Sequence, residues 1–131
     1  MKSFITVLGA LGVLLHQAAS YTITPELTWT GAMAWCTKNN HGILYSPAAG
    51  TMSAAFNACG RSKNCWVGAH RRVGSDAVWV NVDYTAPHLP WAVSQPDDEN
   101  HAEACAHFAN WENGKLNDIN CDRTMVGICE N

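Results

Sequence analysis

The chain has 131 residues, a formal net charge of −3, 47% hydrophobic and 15% charged residues. That length suits one domain, and so mild a charge with no basic stripe excludes an electrostatic binder of nucleic acid. Residues 1–20 carry Lys2, an apolar run from Phe4 to Leu15, and small residues Ala18 and Ser20 placed before Tyr21, the pattern of a secretory signal peptide. The run is too short to cross a bilayer, and nothing after Tyr21 resembles a second span or a lipidation signal. The expectation is therefore a leader over 1–20 and a secreted, extracellular domain over 21–131 with no membrane span. Loss of Lys2 would take its net charge from −3 to −4.

Taken in order, Tyr21 to Ile23 alternates like a short strand and ends at Thr24-Pro25. Thr28 is placed to cap a helix in which Trp29, Ala32, Met33 and Cys36 recur at spacings of three and four, and Asn40-His41-Gly42 is its exit signal. After Ile43-Leu44-Tyr45, Ser46-Pro47 has the form of a cap and first helical position, which predicts a second helix from there through Met52, Ala55 and Phe56 to Cys59-Gly60. Cys65 to Ala69 reads as an apolar strand. Residues 81–94 are polar and turn-rich, with Trp91 as an anchor beneath them. His107 to Ala109 and Met125 to Cys129 complete a set of short antiparallel strands. The fold class is mixed α+β, two helices packed on small antiparallel sheets with a long irregular loop. Arg61, Lys63, Arg71 and Arg72 form a loose basic group, read as solvated surface.

The chemistry is concentrated between Gln95 and Cys121. Six of the eleven acidic residues lie from Asp97 to Asp118. Gln95, Asp97, Glu103, Asn117 and Asp118 offer oxygen ligands only, the set a hard cation such as Ca2+ accepts, whereas zinc favours imidazole or thiolate. Cys36, Cys59, Cys65, Cys105, Cys121 and Cys129 are even in number in an exported chain, so a disulfide framework is expected, and spacing alone leaves fifteen connectivities open.

Gln95-Pro96-Asp97, Glu103 two residues before a cysteine, and Asn113 to Cys121 together resemble the carbohydrate-binding half of a C-type lectin domain. Cys105-Ala106-His107-Phe108 is similar to a segment of its galactose-binding members, and Trp66-Val67-Gly68-Ala69 resembles the family's core strand. The resemblance covers nearly all of residues 22–130. It implies the C-type lectin fold, disulfides Cys36–Cys129, Cys105–Cys121 and Cys59–Cys65, and a cis Gln95-Pro96 bond that turns two ligands toward one ion. It also implies a calcium-dependent sugar site built from Gln95, Asp97, Glu103, Asn117 and Asp118. The Gln-Pro-Asp order implies glycans ending in galactose or N-acetylgalactosamine.

The sequence departs from that pattern in three places. Asp98-Glu99-Asn100-His101 stands where galactose-type relatives carry a stacking tryptophan; His101 and Trp111 are the candidate substitutes, with Trp111 read first as hairpin packing. Leu116 replaces a tryptophan, and Ala104 replaces an acid that often helps hold a second calcium. An enzyme is not expected: His101 and His107 flank Glu103 without the helical zinc-site spacing, Cys105 should be oxidised, and no nucleophile–base pair is visible. The alternative is a protein-binding module of the same fold without sugar binding. No collagen or coiled-coil neck is present, so multivalency would have to come from a homo-oligomer formed through domain surfaces.

Overall fold

The computed structural model describes residues 5–8, 13–16, 19–72 and 78–131. Within the expected leader, Ile5–Leu8 (β1) pairs antiparallel with Val13–His16 (β2) as a sheet of its own. Ala18, beside the expected cleavage point, lies outside the described residues.

The domain opens with Tyr21–Ile23 (β3) and then helix α1, Trp29–Lys38. Thr28 caps it as its sequence position predicts, its hydroxyl accepting from Gly31 N at 3.2 Å. Ala32 and Cys36 on the inward face are fully buried, and Trp29 donates from Nε1 to the Val67 carbonyl at 2.8 Å. The chain leaves α1 through Asn40 and Gly42, both at positive φ, and a Cβ on Gly42 would run into the Glu130 carbonyl. Ile43–Leu44 (β4) follows.

Helix α2 spans Met52–Cys59 with Thr51 as its N-cap, later than the Ser46-Pro47 signal predicts. The Pro47 carbonyl explains the delay. It accepts from Asn81 Nδ2 and from His88 N, each at 3.0 Å, so residues 47–50 are drawn onto the 81–90 segment and their carbonyls do not begin a helical ladder.

Cys65–Arg71 (β5), Trp79–Asn81 (β6), Cys105–Phe108 (β7), Leu116–Ile119 (β8) and Val126–Glu130 (β9) complete a seven-stranded sheet. Its order is β3-β9-β5-β7-β8, with β4 on β9 and β6 on β5. The pairings are antiparallel except one: β5 and β9 run parallel, with Cys65 opposite Val126 and Trp66 opposite Gly127. That pairing joins the expected small antiparallel sheets into one mixed sheet.

One buried cluster, around Tyr45, Phe56, Val67, Phe108 and Ile128, lies under α2. A second, around Ala32, Leu44, Trp66 and the Cys36–Cys129 bridge, lies under α1. All three disulfides have the connectivity the resemblance implies: Cys36–Cys129, Cys59–Cys65 and Cys105–Cys121. The first closes a sequence separation of 93, worth about 4.7 kcal/mol in the chain-entropy account.

Candidate functional site

The loop before β7 is fastened at both ends. At its start, Ala92 N donates to the Leu116 carbonyl at 2.8 Å and Leu116 N to the Pro90 carbonyl at 2.9 Å, lacing the loop to β8. Trp91 packs edge-on to Trp79 with ring centroids 4.9 Å apart, half-buried as the anchor its position suggested. At the far end the Cys105–Cys121 bridge ties β7 to the residues after β8. The Gln95-Pro96 peptide bond is cis.

All five residues singled out in the sequence converge. Ligand oxygens of Asp97, Glu103 and Asp118 lie within 4.8 Å of one another. Asp118 and Asn117 are brought in by β8, in which Leu116 and Asp118 are buried and Asn117 and Ile119 are less so. One amide position of Gln95 lies 2.8 Å from Asp118 Oδ1, 2.9 Å from Asn117 Oδ1 and 3.1 Å from Asp97 Oδ1. With nitrogen there, two hydrogens face three acceptors. With oxygen there, four oxygens face one another, and only a cation between them makes that arrangement favourable. At that position the amide can thus act as a hydrogen-bond donor or offer its oxygen to a cation.

The electrostatics follow from burial. Asp118 is fully buried, which pushes its carboxyl up, although backbone N–H groups of Asp98 (2.8 Å) and Asp97 (3.1 Å) donate to its oxygens and offset part of the shift. Glu103 is pushed up to about 7, first by burial and then by a hydrogen bond shared with Asp97. A cluster that resists full ionisation by itself is one that a divalent ion would relieve.

Three further residues escaped the sequence reading. His107 is 1% exposed. Its Nδ1 lies 2.7 Å from the Phe108 carbonyl and must donate, which leaves Nε2 to accept from Asn117 Nδ2 at 3.0 Å. Burial lowers the His107 pKa and keeps it neutral in this role. Asn117 is thereby made to present its carbonyl oxygen to the cluster. Asp98 closes the loop on itself, accepting from Glu103 N at 3.1 Å; Asp98, Asn100 and His101 all have positive φ, which Asp, Asn and His tolerate better than most residues.

Arg71 corrects the reading of the basic group. Arg61, Lys63 and Arg72 are exposed, but the Arg71 side chain is only 13% exposed and points at the acids, with Nη2 3.7 Å from Asp118 and 3.9 Å from Asp98. Trp111 also differs from expectation. It is 57% exposed, with its ring 6.0 Å from that of His107.

Residues 25–131 match the family described as "Lectin C-type domain", and the chain belongs to the C-type lectin domain family. That family is a non-enzymatic binding family. Lectin subunit alpha of Sarcophaga peregrina is 26% identical over 125 residues, covering 84% of this chain and 44% of that protein. The chain thus spans less than half the length of that relative. Among solved structures, C-type lectin CEL-I from Cucumaria echinata superposes with a TM-score of 0.73 at 22% identity, over 86% of this chain and 89% of its own. The cow CD23 C-type carbohydrate-recognition domain, solved in the presence of a GlcNAc2Man3 oligosaccharide, gives 0.75 at 20% identity over 91% of each chain. The carbohydrate-recognition domain of mouse scavenger receptor C-type lectin gives 0.75 at 20% identity, over 86% and 89%. These likenesses establish the fold. Among the described residues no helix is long and apolar enough to cross a membrane.

Proposed function

We propose that this chain is a secreted lectin that binds glycans ending in galactose or N-acetylgalactosamine through one calcium ion held by Gln95, Asp97, Glu103, Asn117 and Asp118. The observation that carries the reading is the convergence of oxygens: those of Asp97, Asn117 and Asp118 surround the Gln95 amide, and a Glu103 oxygen lies within 4.8 Å of those of Asp97 and Asp118. The donor set fits calcium: oxygen only, three carboxylates and two amides, on an irregular loop that can supply a coordination shell of about six to eight. When bound, the ion supplies open positions for the lone pairs of two adjacent sugar hydroxyls. Asp97 and Glu103 then accept hydrogen bonds from those hydroxyls, and Gln95 donates one. Asn117 donates another from the amide hydrogen His107 leaves unused. Trp111 adds an exposed aromatic face beside His107. A leader over residues 1–20 and three disulfides support export to an oxidising compartment.

Retention on galactose resin in calcium, with release by a chelator, tests this reading. No retention, or retention that survives chelation, would refute it.

Acid should weaken calcium binding. The Glu103 pKa is raised to about 7 in the metal-free protein, so below that pH a proton must leave before the ion can be held. Affinity should fall by about tenfold per pH unit below ~7 and be flat above it, and burial raises the Asp118 carboxyl as well, which acts in the same direction. The metal-free fold has the opposite trend. A carboxyl whose pKa rises on folding from 4.5 to about 7 contributes stability that is present at acid pH and lost as pH climbs through that window. Calcium titrations and chelator-treated melts across this range measure both slopes.

A further inference from the structure

Arg71 ends β5 and approaches the ligand loop from outside the 95–121 stretch. Its backbone N donates to the Ala104 carbonyl at 2.9 Å, and its Nε donates to the Glu103 carbonyl at 2.9 Å. Nη2 stands 3.9 Å from Asp98 Oδ1 and 3.7 Å from Asp118 Oδ2. One guanidinium thus faces a carbonyl and two carboxylates, an oxygen set of the kind that surrounds a bound cation. The group is itself held in place. Arg71 pairs with Trp79 across β5 and β6, and its guanidinium carbon lies 5.1 Å from the centre of the Trp79 ring.

We propose that Arg71 is a positioning residue, a tethered internal cation that holds the loop from Asp97 to Glu103 in ligand-ready form when no calcium is bound. The inference rests on the calcium reading given above. Asp97, Asp98, Glu103 and Asp118 crowd up to four negative charges into one corner, and Asp118 has no access to water. Left alone they would push the loop open. Arg71 supplies a fixed positive charge there. Its contacts reach both ends of the turn, Asp98 and Glu103, and the buried Asp118 on β8, so it pins the turn to the sheet. Calcium then binds a loop that is already formed, and the ordering entropy is met before the ion arrives.

Amide hydrogen exchange on the chelator-treated full chain tests the proposal with Arg71→Gln and Arg71→Lys. Arg71→Gln keeps hydrogen-bonding capacity but removes the charge, and should speed exchange across residues 97–103 at least about tenfold while β9 stays as protected as in the parent. Arg71→Lys should restore a substantial part of the protection, because the charge remains. Calcium should bring all three proteins to the same protected state. Unchanged exchange in Arg71→Gln would overturn the proposal, and so would equal loss in the lysine and glutamine variants, since that result assigns Arg71 to its hydrogen bond with the Glu103 carbonyl and its packing on Trp79 and not to its charge. Failure of the calcium reading shows up separately, as no calcium-dependent protection in the parent.

Discussion

Glu103→Ala is expected to abolish calcium-dependent binding to galactose while leaving secretion, all three disulfides and the fold in place. The Glu103 side chain accepts one backbone hydrogen bond, from Glu99 N at 3.2 Å, and its carboxyl sits where ionisation is disfavoured, with a pKa raised to about 7. Removing it relieves a destabilised charge and opens no core cavity, so the melting temperature without calcium should move little. The site, however, loses one of three carboxylates and an acceptor for a sugar hydroxyl. Residues that only orient metal ligands cost 10–100-fold when replaced, so loss of a ligand should lower calcium affinity by more than about 100-fold. Calorimetry with calcium and a melt in chelator measure the two halves of the claim. A variant that fails to fold, or one that still binds galactose in a calcium-dependent way, contradicts it.

The double change Gln95→Glu with Asp97→Asn should redirect sugar preference. It keeps the charge of the loop and an oxygen at both positions, so calcium should bind with similar strength. What it exchanges is the side of the ion that donates hydrogen bonds and the side that accepts them. The two groups are 3.1 Å apart, close enough for the new amide at 97 to donate to the new carboxylate at 95. Galactose offers an axial 4-hydroxyl beside an equatorial 3-hydroxyl, and mannose offers two equatorial ones, so reversing donors and acceptors favours a different approach. The galactose-to-mannose affinity ratio should fall at least about tenfold, and both sugars must be titrated against both proteins. A side effect is also expected. Asp118 and Asn117 lose the Gln95 donor 2.8 and 2.9 Å away, so the chelator-treated variant should melt earlier than the parent. A ratio that stays fixed while calcium still binds would show that the order of amide and carboxylate does not select the sugar.

The proposed ligand set could be read in the sequence because it is local. Gln95 to Asp118 is a short stretch, and the amides and acids it collects are brought together in the fold. Helix α1 was legible for the same reason, since Thr28 and the spacing of Trp29, Ala32 and Cys36 are near-neighbour signals. The start of α2 was not, because the Pro47 carbonyl is claimed by Asn81 and His88, residues far along the chain. The parallel β5–β9 pairing was hidden for a similar reason. Arg71 and His107 were missed because charge and residue type alone cannot distinguish a solvated arginine from one aimed at Asp118, or a packing histidine from one that orients Asn117. What distinguishes them is register: His107 lies opposite Asn117 in the β7–β8 ladder, and Arg71 lies opposite Trp79.

Strand order bears on how the domain can be joined to other things. Tyr21 lies opposite Glu130 in the β3–β9 ladder, and just beyond it Ser20 and Asn131 exchange backbone hydrogen bonds of 2.9 and 3.1 Å. Both ends of the fold therefore leave from the β3 side of the sheet, while the ligand loop is fastened to β8 at the other end of the strand order. Segments joined at Ser20 or at Asn131 would therefore meet the domain side by side, at strands other than the one that carries Asn117 and Asp118.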